Sequence, residues 1–424
     1  MKSILQHSLP GRDDITRIVL PNGITILVRI NRNSPSVVLG GYFPCGSLFD
    51  TDEKLGLADF TAIGLLRGSR DRDFQEIFNT LESVGANLSF SAGGHTAGFS
   101  GRCLSEDVPR LLGILADALR HPIFPTEEVE RLRAQFLTGL AIRAQDTAEM
   151  ASLTFDQIVF AGHPYARPDD GWPGTIQAIT RDDLEDFHRI HYGPKGFVIA
   201  IVGAVDVHLI SKQVEGVLGD WNNSTQPDLP ILPELIHLKK TKTRRVNIPG
   251  KSQSDLVIGT TGPRRIDPDY ISASLGNSIL GQFGMAGRIG QVVREKSGLA
   301  YYASSSLSAG IGPGTWDVSA GVNRENIVKA KELIFQEIQR FVDKGVTNEE
   351  LADSQSNYIG RLPLSLESNA GVVNALLNIE RFDLGLDYYR LYPDMVRSIT
   401  LDDVLVTARK YLHPDKLAVA IAGS

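Results

Sequence analysis

Cysteine is nearly absent from this chain. Two in 424 residues, Cys45 and Cys103, are too few for a disulfide framework or a four-ligand zinc site, and they read as small buried thiols in a reducing compartment. Long apolar runs are missing as well, since none approaches membrane-spanning length. The opening MKSILQHSLPGRDDIT lacks a signal-peptide core, so the expected location is the cytoplasm, or the periplasm if a leader has been removed. No basic block offsets the net charge of −7, which argues against nucleic acid as the main partner. The cluster Lys239–Arg245 lies beside an apparent linker and reads as a solvated segment. What is present is ordinary globular composition, 42% hydrophobic and 22% charged, over a length that calls for more than one core.

Along the chain, Arg17–Arg29 reads as a hairpin, because Asn22-Gly23 supplies the positive φ of a tight turn between two β-rich runs. A strand follows from Pro35 to Gly46, and a helix from Leu55 to Leu66 buries Leu55, Ala58, Ile63, Leu65 and Leu66. Phe74–Val84 is an amphipathic helix. Strands are expected over 86–92 and 96–103, and helices over 108–120, 126–145, 150–160 and 181–191, the last before a buried strand from Phe197 to Val202. The proline-rich stretch Trp221–Pro233 marks a linker. Beyond it the chain repeats itself. Ile179–Gly203 aligns with Ile399–Gly423 without a gap, and Val37–Gly41 has a counterpart in Leu256–Thr260. The expected fold class is therefore α+β: two duplicated domains, each a mainly antiparallel sheet backed by helices. Their expected boundaries are residues 1–220, a linker over 221–250, and 251–424.

Few residues carry obvious chemistry. His188-x-x-His191 is the only close histidine pair, and its counterparts in the repeat are Ala408 and Tyr411, which favours packed or surface histidines over metal ligands. His95 and His163 have no partner in sequence and read as turn or strand-end residues. The glycine-rich run Leu280–Gly290 lacks a Gly-Lys-Ser/Thr ending and follows a helix, so it reads as a mobile loop and not a phosphate site. Gly287–Tyr302 reads as an amphipathic helix capped by Gly298 and followed by a strand over 300–307. Arg294 lies in its last turn and Tyr301 seven residues on. Tyr301 and Tyr302 face opposite sides of their strand, so at most one shares a site with Arg294.

Several stretches together resemble the pitrilysin-type inverzincin peptidases, in the branch with the processing-peptidase subunits and bacterial heterodimeric zinc peptidases. They are Leu20–Gly23, Gly46-Ser47, Gly56–Ala58, Leu81–Gly85, Asp117 with Pro122-x-Phe124, His163–Tyr165, Ile179-Thr180 with Tyr192-x-Pro194, Gly203–Asp206, Asp267–Tyr270, Leu280-Gly281 and Arg294–Tyr301. Active members carry H-x-x-E-H on the helix at 55–66. By that resemblance Asp59 and Ile63 stand at the two histidine positions, Ala62 at the general base, and Gly139 at the third ligand. The ligands and the base are missing together, which implies no cofactor in this chain and zinc in a partner subunit.

The resemblance further implies a two-domain clamp that encloses peptide with a homologous H-x-x-E-H-containing subunit as a heterodimer. Arg294 and Tyr301 match the family's substrate-holding Arg/Tyr pair, whose donors would assist the partner's active site. The expected function is the non-catalytic subunit of a heterodimeric zinc peptidase acting on peptides or small proteins, with no membrane or nucleic-acid partner. The alternative is a structural or assembly subunit, like the core proteins of a respiratory complex, and a homodimeric peptide-binding protein is a third reading.

Overall fold

The structure, a computed structural model, describes residues 9–282 and 287–424. The first eight residues, and Phe283–Ala286 of the glycine-rich run expected to be a mobile loop, lie outside the described residues. Two compact units are present, and each draws on both halves of the chain: residues 9–140, 168–231 and 363–390 in one, 141–167, 232–362 and 391–424 in the other.

The first unit is built on six strands, β1 (Thr16–Val19), β2 (Thr25–Ile30), β3 (Ser36–Phe43), β4 (Asn87–Ala92), β5 (Ala97–Leu104) and β6 (Val198–Gly203). Their order is β1-β2-β6-β3-β5-β4, and only β2 and β6 run parallel. β1 and β2 form the hairpin that Asn22-Gly23 predicts. Two helices of this unit, α1 (Leu57–Gly64) and α2 (Thr126–Arg143), carry Asp59, Ala62 and Ile63 on one and Gly139 on the other. The core contains a run of stacked rings, Phe43 on Phe197 at 5.6 Å and Phe197 on Phe99 at 5.5 Å.

The second unit has five strands, β7 (Lys242–Asn247), β8 (Gln253–Thr261), β9 (Ala300–Leu307), β10 (Thr315–Asn323) and β11 (Ala418–Gly423). Their order, β7-β11-β8-β10-β9, with only β7 and β11 parallel, reproduces β2-β6-β3-β5-β4 strand for strand. The repeat behaves as one structural unit. Helix Arg181–His191 and β6 recur as helix Leu401–Tyr411 and β11, and both helices open on a Thr/Asp capping box, Thr180 with Asp183 and Thr400 with Asp403. Within the basic cluster, Lys242–Arg245 keep their side chains in solvent while their backbone adds edge strand β7.

Two helices are exchanged between the sequence halves. α3 (Thr147–Val159) comes from the first half, yet Ala151, Phe155 and Ile158 bury themselves against Val257, Ala418 and Ala420 of the second sheet. α4 (Asn369–Arg381) comes from the second half and joins the first unit, where the Asn369 amide donates to the Ser36 carbonyl at 3.1 Å. A contiguous division at 221–250 leaves these helices with their sequence neighbours; the compact units do not. Helical periodicity shows that a face is apolar without showing which sheet will cover it.

Candidate functional site

α1 starts without a capping side chain of its own. Asp50, 4% exposed, stands in by accepting the Gly56 and Ala58 N–H groups at 2.9 and 3.0 Å. Gly56 is required there, because its φ is +94° and a Cβ would lie 2.6 Å from Ile176 Cδ1. Phe60 is fully buried, stacks on Phe136 of α2 at 5.0 Å and lies under the Arg133 guanidinium at 5.5 Å. Burial of such a ring contributes about 2–3 kcal/mol. Hydrophobic packing therefore holds the α1–α2 contact.

Asp59, Ala62 and Ile63 fall on one side of α1 at i, i+3 and i+4 spacing. Ala62 is fully buried and Ile63 packs on the core. Gly139 is exposed on α2, with nothing within 4 Å of where a Cβ would be. Asp59 alone offers oxygen, and its Oδ1 accepts the Ala92 N–H at the end of β4 at 2.8 Å. Burial pushes its carboxyl up to about 6, aided by the Asp170 and Asp169 charges and opposed by the Ala92 hydrogen bond.

The histidine pair is packed. His188 Nε2 donates to the Leu119 carbonyl at 2.8 Å, and burial pushes the imidazole down to about 4. His191 lies between Phe49 and Phe187, at 4.4 and 4.5 Å. His163 is buried and accepts the Tyr165 N–H through Nδ1 at 3.2 Å, closing a turn.

In the second unit the segment expected to be a regular helix before β9 winds more widely over Gly290–Glu295. The Lys296 N–H reaches back five residues to the Gln291 carbonyl at 2.9 Å, a π-type turn. Arg294 projects from this turn into solvent, and among the described residues its guanidinium has no hydrogen-bond or ion-pair partner. The Leu299 N–H bonds to the Val293 carbonyl at 3.1 Å and brings the chain into β9.

There the register slips. Tyr302 pairs with Gly321 and Ala300 with Val322, so Tyr301 is the extra residue of a β-bulge. Its ring is 60% exposed, and its hydroxyl donates to Asn323 Oδ1 at 2.9 Å.

Tyr302 has a different task. Its hydroxyl donates to Asp255 Oδ1 at 2.5 Å, and Asp255 also accepts from Thr147, the first residue of α3, and from Gln253 Nε2 at 3.1 Å. Gly321 lies in the row between Tyr302 and Asp255, and a Cβ there would meet the Tyr302 ring at 2.5 Å. Burial and the Asp255 contact push the phenol well up. Sequence reasoning missed this cluster; its one signal was a carboxylate immediately ahead of the apolar run 256–258.

Comparison with known proteins gives consistent matches. Residues 25–165 match the family described as "Insulinase (Peptidase family M16)", and residues 178–358 match "Peptidase M16 inactive domain". An uncharacterized zinc protease of Streptomyces coelicolor is 26% identical over 409 residues, which is 95% of this chain and 88% of that protein. The uncharacterized zinc protease YmxG of Bacillus subtilis is 23% identical, covering 84% of this chain and 85% of that one. A peptidase M16 inactive domain from Pseudomonas fluorescens superposes with a TM-score of 0.86 at 27% identity, over 96% of this chain and 97% of that one.

The zinc implied by the relatives' names does not fit this chain's residues. One carboxylate already engaged with a backbone N–H, two apolar side chains and a glycine supply too few donors. Among the described residues no group of three or more His, Cys, Asp or Glu is arranged to hold a metal ion.

Proposed function

This chain belongs to the M16 peptidase family, and we propose that it is the non-catalytic subunit of a heterodimeric zinc peptidase. It pairs with a homologous H-x-x-E-H subunit that carries the zinc, and Arg294 and Tyr301 hold the peptide substrate against that partner's site. The supporting observation is the state of the two side chains. Each projects into solvent from a backbone irregularity, a π-type turn for Arg294 and a β-bulge for Tyr301. Such irregularities recur where a side chain must be re-aimed for function.

The chemistry follows from the donors. A guanidinium presents fixed N–H groups to a carbonyl oxygen, and a phenol adds one O–H that strengthens as negative charge develops there. β4 supplies a second element. It is the last strand of its sheet, and its outer backbone edge can pair with an extended peptide.

The test is reconstitution with the H-x-x-E-H partner. Arg294→Ala or Tyr301→Phe is expected to lower kcat/KM by roughly tenfold to a thousandfold with assembly unchanged by sedimentation. Either variant performing like wild type removes the role assigned to the pair and favours the assembly-subunit reading.

A further inference from the structure

We propose that Asp59 is a built-in stop that sets where a bound peptide strand must end on β4. The inference rests on the reading of β4 as a peptide-binding edge and concerns how that edge is terminated. β4 pairs with β5 in the register Ala92↔Ala97, and the Gly93 N–H bonds to the Thr96 carbonyl at 3.0 Å. Antiparallel pairs alternate between hydrogen-bonded and non-bonded. Residues 87, 89 and 91 therefore exchange bonds with β5, while Leu88, Phe90 and Ala92 direct their N–H and C=O groups toward the open edge.

Among those three outward N–H groups, that of Ala92 is taken by Asp59 Oδ1 at 2.8 Å. The carboxylate cannot retreat easily. α1 is anchored at its start by Asp50, and its Ala58, Phe60 and Ala62 side chains are fully buried. A peptide carbonyl brought opposite Ala92 would find its donor occupied and would meet negative charge, with Asp169 and Asp170 adding to the field. A peptide strand therefore pairs at Leu88 and Phe90 and leaves the sheet before Ala92. At the position where the family's active members hold a metal ligand, this chain holds the device that terminates the strand.

Backbone amide hydrogen exchange of the full chain tests this, with and without a blocked decapeptide of alternating threonine and lysine. In wild type the peptide is expected to slow exchange at Leu88 and Phe90 by roughly tenfold or more, while Ala92, already protected, does not change. In Asp59→Ala the Ala92 amide is expected to exchange roughly tenfold faster without peptide and to be slowed once peptide is added. Asp59→Asn keeps an acceptor oxygen and should retain Ala92 protection in the free protein, which separates loss of the cap from loss of the helix. Slowing at all three amides in wild type, or an Ala92 amide indifferent to Asp59→Ala, refutes the stop alone. No slowing at Leu88 and Phe90 refutes the peptide-edge reading and the stop with it.

Discussion

Replacing Asp59 with asparagine removes a charge from a buried position while keeping an oxygen for the Ala92 N–H. Burial, followed by the charges of Asp170 and Asp169, moves this carboxyl from 3.8 to about 6. The folded state thus holds the proton more tightly than the unfolded chain does. Stability falls as pH rises between the two values, and the full cost is present above about 6. That gap corresponds to roughly 3 kcal/mol, and linkage leaves roughly half of it at pH 5. Asp59→Asn should therefore be more stable than wild type by up to ~3 kcal/mol at pH 8, with the advantage shrinking by about 1.5 kcal/mol at pH 5. Urea unfolding followed by tryptophan fluorescence at pH 5, 6, 7 and 8 measures this, since Trp172 and Trp221 lie in the same unit as Asp59. A difference that is flat across the range, or a variant weaker than wild type at pH 8, would refute the electrostatic reasoning.

Three further outcomes are expected. Gly321→Ala places a Cβ 2.5 Å from the Tyr302 ring and 2.6 Å from Gln253 Nε2. It should break the Tyr302–Asp255 bond and cost about 1–3 kcal/mol by thermal unfolding. Gly113→Ala, in an open position on helix Val108–Arg120, should instead stabilise by about 0.5–1 kcal/mol and serves as the control. His188 is pushed down to about 4 from 6.5, so the unfolded chain binds the proton first as pH drops. Stability is full above 6.5 and falls toward 4, by roughly 2 kcal/mol between pH 7 and 5. His188→Gln keeps a donor for the Leu119 carbonyl and should flatten that part of the acid profile, as read from urea midpoints at the two pH values.

The elements themselves were legible in the sequence. Helix Arg181–His191 announces itself by its Thr180/Asp183 cap, and β1–β2 by Asn22-Gly23. The gapless repeat anticipated the matching strand orders of the two sheets, because a duplicated pattern of buried positions folds twice into the same layers. That Ala62, Ile63 and Gly139 offer no metal-donor atom is likewise a property of their residue types. The finer geometry was not legible. The regular helix expected before β9 became a π-type turn, and the plain strand start became a bulge that turns Tyr301 outward, because the register against β10 decides where an extra residue goes.

Local patterning thus determined which segments are helical or extended and which of their faces are apolar. Only the tertiary structure decided that α3 and α4 change units, that Asp59 caps Ala92 33 residues away, and that Tyr302 reaches Asp255 across 47. Periodicity specifies how a side chain leaves its own backbone. Its partner is chosen by contacts distant in sequence, where burial makes each unmet hydrogen bond costly.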